Sequence, residues 1–307
     1  MSFLELIMEP LGYVFMQRAF AITALASIVC AVLSCWLVLV GWSLMGDAVS
    51  HAVLPGVVIA YTLGAPFAVG ALIFGGGAVL LIGIVRGKSQ IKEDAAIGIV
   101  FTSLFALGLV LISIVPSQID LTHILFGNLL GASANDLWQV LVVAAVVLVT
   151  IVLKKRDITL FTFDPVQAHT IGLSPRRLNA LLLGLLALTV VVALQAVGVI
   201  LVVAMLIIPG ATAFLLTRRL NRMLWVSPMI ATLCSIVGIY ISYYSNASSG
   251  GMVVLTQGVV FFIAFVAVRG RALLSLRATP ASAAVGNSTD PREETASVVP
   301  VVTGKNL

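Results

Sequence analysis

An aspartate and a histidine four residues apart, Asp47 and His51, stand inside GDAVSHAVLPG (Gly46–Gly56), in the most apolar half of a very apolar chain. A helix turns once every 3.6 residues, so both side chains leave one face, a carboxylate oxygen and an imidazole nitrogen within reach of a single cation. Ionisable groups are costly in lipid, and those kept there line a water path, pair with a partner or hold an ion. Asp oxygen with His nitrogen suits Mn2+ or Fe2+ and can also hold Zn2+, whereas thiolate would favour Zn2+ or Cu+. One chain offers fewer ligands here than such an ion takes. A two-fold partner supplying an equivalent pair would place the site on a dimer axis, with water completing the shell. Without an ion, the same residues would be a polar pair satisfying backbone groups where two spans turn.

Other candidates are weaker. Asp120 and His123, three apart in DLTHILFG, could pass an ion inward or be solvated loop residues. Pro209 and Gly210 in IIPGATA (Ile207–Ala213) can break a helix and free carbonyls where a path or gate is built, though ordinary packing also tolerates such breaks. Cys30, Cys35 and Cys234 match neither CxxC nor a zinc-ligand spacing and read as packing residues. GIVRGKS (Gly83–Ser89) imitates a phosphate-binding loop but is one residue short between its glycines and ends an apolar helix instead of leaving a strand. There is no HExxH and no Gly-x-Ser-x-Gly. Any ATP-driven movement would therefore need an ATPase on another chain, and the chain reads as a non-enzyme.

The elements that carry these residues are membrane helices. With 61% hydrophobic and 9% charged residues over 307 positions, the sequence falls far below the charge of a soluble domain. The fold class expected is an all-α, polytopic bundle of eight to nine spans. The candidates are Ala19–Val40, Phe67–Val85, Ala95–Val115, Leu137–Leu153, Leu178–Leu194, Val199–Leu216, Leu224–Tyr243 and Met252–Val268; the short Leu54–Leu63 crosses only if joined to the Asp47 helix. Residues 1–18 read as an amphipathic surface segment and not a cleavable signal, 19–277 as the transmembrane domain, and 278–307 as a disordered cytoplasmic tail.

Most basic residues fall into short groups, Arg86/Lys88/Lys92, Lys154/Lys155/Arg156, Arg176/Arg177, Arg218/Arg219/Arg222 and Arg269/Arg271/Arg277, and where spans separate successive groups they come two at a time. All can lie on one side, which the positive-inside rule makes the cytoplasm. The loops Pro116–Asp136 and Tyr244–Gly251, without Lys or Arg, then face outward, as does the amino terminus. Two or three charges per loop are explained by orientation, and no nucleic-acid role is read into them. In the cytoplasmic segment 154–177, Asp164 can cap a short helix with Pro165 in its first position and Gly172 at its end. Too small to bury itself, that helix would lie across a partner.

Five segments in order, GWSLMGDAVSHAVLPG (Gly41–Gly56), KEDAAIGIVFT (Lys92–Thr102), DLTHILFGNLLG (Asp120–Gly131), FDPVQAHTIGL (Phe163–Leu173) and GVILVVAMLIIPGATAFLL (Gly198–Leu216), resemble the membrane subunits of bacterial ABC importers for manganese, iron and zinc. The resemblance covers roughly Ala19 to Val268. It implies a type II-like permease in the bacterial cytoplasmic (inner) membrane, paired with a second permease subunit, identical or paralogous. A dimer of cytoplasmic ATPases would lie beneath and an extracytoplasmic metal-binding protein above. Asp47 and His51 match the family's metal-coordinating pair, and Asp164–Gly172, with Pro165 and Ala168, its coupling helix. The divalent metal would be cargo, with no permanently bound cofactor. A zinc importer, and a stand-alone proton-coupled carrier using Asp47 and His51 as a relay, stay open as alternatives.

Overall fold

The computed structural model describes residues 9–88, 90, 92–114, 131 and 133–277. Its helices, in chain order, are α1 (Val14–Val40), α2 (Met45–Ala52), α3 (Leu54–Thr62), α4 (Phe67–Lys88), α5 (Glu93–Ile114), α6 (Ala134–Phe163), α7 (Pro165–Thr170), α8 (Pro175–Val197), α9 (Val199–Leu216), α10 (Leu220–Ser245) and α11 (Ser249–Arg277). Among the described residues no strand occurs, and eight helices are long and apolar enough to cross a membrane: α1, α4, α5, α6, α8, α9, α10 and α11.

α1 is the post of the bundle. It is apolar on every side, and Met16, Ile22, Cys30, Leu33, Trp36 and Leu37 are fully buried, as a helix surrounded by others requires. α6, α8, α9 and α10 pack against it. Small polar residues join these helices where side chains must be short: the Ser27 and Ser235 hydroxyls lie 2.6 Å apart, Ser227 donates to the Ala31 carbonyl at 2.9 Å, and Ser34 Oγ accepts the Gly210 N–H at 3.1 Å. Cys30, Cys35 and Cys234 are buried free thiols.

Two boundaries differ from those expected. α1 begins at Val14, so residues 14–18 continue the first span and Met16 is enclosed by protein. α6 starts at Ala134, fixed by a capping box in which Asp136 N–H donates to Ser133 Oγ and Ser133 N–H to Asp136 Oδ2, and it runs to Phe163, well past the apolar window. Nothing between Lys154 and Phe163 breaks a helix, and Lys154 pairs with Asp157 one turn on at 3.2 Å. The basic group Lys154/Lys155/Arg156 is thus helical.

The two ends of the bundle can be told apart. At one end, Leu39, Trp42, Arg86, Phe161, Pro175 and Arg176 line one cavity of about 600 Å3, gathering the close of α1, α4 and α6 with the start of α8. The Arg86 guanidinium sits 5.7 Å from the Trp42 ring centroid. At the other, Glu9, Met16, Tyr243, Tyr244 and Ser249 line a second cavity, so the start of α1 shares an end with the lysine- and arginine-free turn between α10 and α11. α1 therefore runs toward the basic end.

From there the chain returns in two pieces. Stacking of Tyr61 on Phe67, with ring centroids 6.3 Å apart, sets the end of α3 beside the start of α4, opposite the basic end where α4 finishes. α2 and α3 together make the extra crossing, about 27 Å long at 1.5 Å per residue. Its break falls at Val53, because Pro55 cannot donate the helical hydrogen bond to the His51 carbonyl. The outer half is held tightly: a Cβ on Gly56 or on Gly70 would strike the other's backbone, so α3 and α4 touch main chain to main chain.

The chain divides into a unit of residues 1–266, which holds this bundle, and a unit of residues 267–307, whose described part is the last turns of α11. The tail 278–307 lies outside the described residues.

Candidate metal site

α2 carries Asp47 in its first turn and His51 in its last. The side chains meet as the spacing requires: His51 Nδ1 is 3.2 Å from Asp47 Oδ1 and 3.1 Å from the Asp47 backbone oxygen. Both neighbours are acceptors, so Nδ1 carries the proton and donates. In the neutral ring that tautomer leaves Nε2 unprotonated, on the side of the imidazole away from Asp47 Oδ1, and the neutral imidazole is the form that takes a metal. Both side chains are partly open, His51 at 23% and Asp47 at 33% exposure. Ser50, between them, is turned inward and donates to the Gly46 carbonyl at 2.8 Å.

Three other helices frame the pair. Leu206 of α9 packs on Gly46, so α9, which runs unbroken through Pro209, touches α2 one residue before Asp47. Val49 and Val53 face Gly75 of α4. On α5, Phe101 and Phe105 set their rings 5.2 and 5.3 Å from the His51 ring, at interplanar angles of 74° and 79°.

Among the described residues no group of three or more His, Cys, Asp or Glu side chains gathers to hold a metal.

The remaining sequence candidates lie apart from this pair. Asp120 and His123 fall outside the described residues. Pro209 and Gly210 are buried in α9, with Gly210 against Ser34 of α1. Gly83–Lys88, the imitation of a phosphate loop, is the helical end of α4 and offers no loop. Asp164 Oδ1 accepts the Gln167 N–H at 2.8 Å, Pro165 opens α7, Ala168 is fully buried, and Gly172 takes φ 87°, a left-handed turn that favours glycine. Val166 and Ile171, at 74% and 61% exposure, put apolar surface on this short projection. Phe101 and Phe105 were not singled out from sequence. Their own four-residue spacing, matching that of Asp47 and His51, was the available signal.

Residues 12–268 match the ABC 3 transport family. The chain is 51% identical over 260 residues to the manganese transport system membrane protein MntB of Synechocystis sp., covering 85% of each chain. It is 50% identical over 258 residues to a probable iron transport system membrane protein of Haemophilus influenzae, covering 84% of this chain and 95% of that one. Among solved structures, PsaBC from Streptococcus pneumoniae in complex with Fab superposes with a TM-score of 0.80 at 39% identity, over 89% of this chain and 99% of that one. An all-helical bundle with eight long spans, matched over nearly its whole length by sequence and by shape, is a multi-pass membrane protein of the ABC 3 transport family.

Proposed function

We propose that this chain is the permease subunit of an ATP-driven importer that passes Mn2+ or Fe2+ across the bacterial cytoplasmic membrane, with Asp47 and His51 holding the ion in transit. The observation that carries this reading is the pair itself: a carboxylate and an imidazole in contact within one turn of α2, partly open, inside a bundle of apolar spans. Relatives named for manganese and for iron transport support the choice of cargo.

Sparse ligation suits a site that must also let go. A second permease subunit would add an equivalent pair, and water would fill the rest of the shell. α7 and the residue after it, with Val166 and Ile171 exposed, would seat in a cytoplasmic ATPase, and an extracytoplasmic metal-binding protein would deliver the ion to the outer end. The chain itself makes and breaks no covalent bond, and ATP is hydrolysed on the ATPase chains.

The test is uptake of radiolabelled Mn2+ by cells expressing the transporter with Asp47 and His51 both changed to alanine. Uptake falls to background while the variant still assembles with its ATPase; unchanged uptake refutes the site. Competition by Zn2+ far below the Mn2+ concentration would instead identify a zinc importer, and transport by chain purified free of any ATPase a secondary carrier.

A further inference from the structure

His51 is gripped from two directions. Asp47 takes its Nδ1–H from within α2, and Phe101 and Phe105 of α5 meet its ring near 5 Å at close to right angles. The two phenyl rings stack on each other, 6.1 Å between centroids and 27° between planes, so they form one aromatic surface and not two independent contacts. Each is itself partly buried, and α5, which carries both, packs against α2.

A histidine side chain on a helix chooses among a few rotamers, and the one adopted brings Nδ1 to the carboxylate one turn back. Hydrogen bonds to a partly exposed side chain fix that choice weakly, since water can replace them. Ring contacts on another helix cannot be replaced by water in the same way, and they confine the imidazole plane as well as its position. They also deny solvent one flank of the ring, so the unprotonated Nε2 competes with fewer waters for the ion.

We propose that Phe101 and Phe105 are positioning residues for the transported ion: by clamping the His51 ring from α5 they hold its free nitrogen in ligating geometry. The proposal rests on the reading of Asp47 and His51 as the ion site. It also makes α5 a sensor of ligation, because a shift of α5 against α2 releases the imidazole without touching either ligand.

The experiment uses the full-length chain, purified in nanodiscs with its co-purifying ATPase and loaded with Mn2+ alone. Pulsed electron paramagnetic resonance then reads nitrogen bound directly to manganese, and equilibrium titration reads affinity. His51→Gln removes the nitrogen signal; if it does not, the site reading falls and the clamp with it. With that control met, F101L and F105L, singly and together, keep the apolar bulk and the helix. The double variant should bind Mn2+ about tenfold more weakly, as loss of groups that orient a ligand does. Its nitrogen signal should weaken in step, and each single variant should lie between. F265L, changed on the exposed side of α11, should match the parent. A double variant with monodisperse behaviour, parental affinity and an intact nitrogen signal overturns the clamp and leaves the site standing. Weaker binding with an undiminished nitrogen signal also overturns it, because the rings would then act on something other than His51.

Discussion

The Asp47–His51 contact illustrates what a single spacing can specify. Four residues on one helix bring a carboxylate to an imidazole, and the carboxylate selects the tautomer that leaves the other nitrogen ready for a metal. If the pair holds the ion as proposed, removing the carboxylate should cost the orientation of the imidazole as well as its own charge. In Asp47→Asn, the amide can still accept from Nδ1, so uptake of Mn2+ should fall but remain measurable. In Asp47→Ala, both charge and orientation are lost and uptake should reach background, as it should for His51→Ala. Initial uptake rates at several Mn2+ concentrations separate these cases, and equal rates for the Asn and Ala variants would show that orientation contributes nothing. This pair was legible in the sequence because helical spacing and the expense of charge in lipid are both local facts. The Phe101–Phe105 surface was not. Fifty residues separate it from His51, and no spacing within α5 states which of its faces meets α2.

At the scale of elements, hydropathy located the long spans but not where helices stop. It registers what lipid accepts, whereas helix ends follow caps and breakers, and so α6 continues through a basic stretch that reads as loop. The α2–α3 crossing was legible as two short pieces, and its contact with α4 now gives a sharp expectation. Gly56→Ala or Gly70→Ala must push α3 and α4 apart, at a cost of about 3 kcal/mol or more, since a backbone cannot yield as a side-chain tip does. Fluorescence-detected thermal unfolding should report a Tm several degrees lower. Gly76→Ala in α4, with nothing near its Cβ, should not lower it. For α7, Asp164→Ala should destabilise the helix by about 1 kcal/mol through loss of the cap. Val166→Asp with Ile171→Asp leaves the cap alone and charges the exposed apolar surface. That variant should keep its Tm and lose its ATPase in pull-down, whereas retention of the ATPase would remove α7 from the contact.

For the whole molecule, the sense of α1 fixes all the rest. The basic groups argued for one cytoplasmic side, and the cavities at the two ends agree, placing Trp42 beside Arg86 and Glu9 beside Tyr243. In right-side-out vesicles, a membrane-impermeant maleimide should label Tyr13→Cys and spare Ile171→Cys; inverted vesicles should give the reverse. The parent chain makes a clean background because its three thiols are buried. α6 adds a mechanical consequence. Thirty residues of unbroken helix form a stiff rod about 45 Å long, ending one residue before α7. A rod of that length is a lever arm: tilting it by about 5° about its outer end sweeps its tip through about 4 Å. A nucleotide-driven stroke of a few ångströms beneath the membrane could therefore be geared down to a slight rocking near the outer loops, with no hinge needed anywhere along the rod.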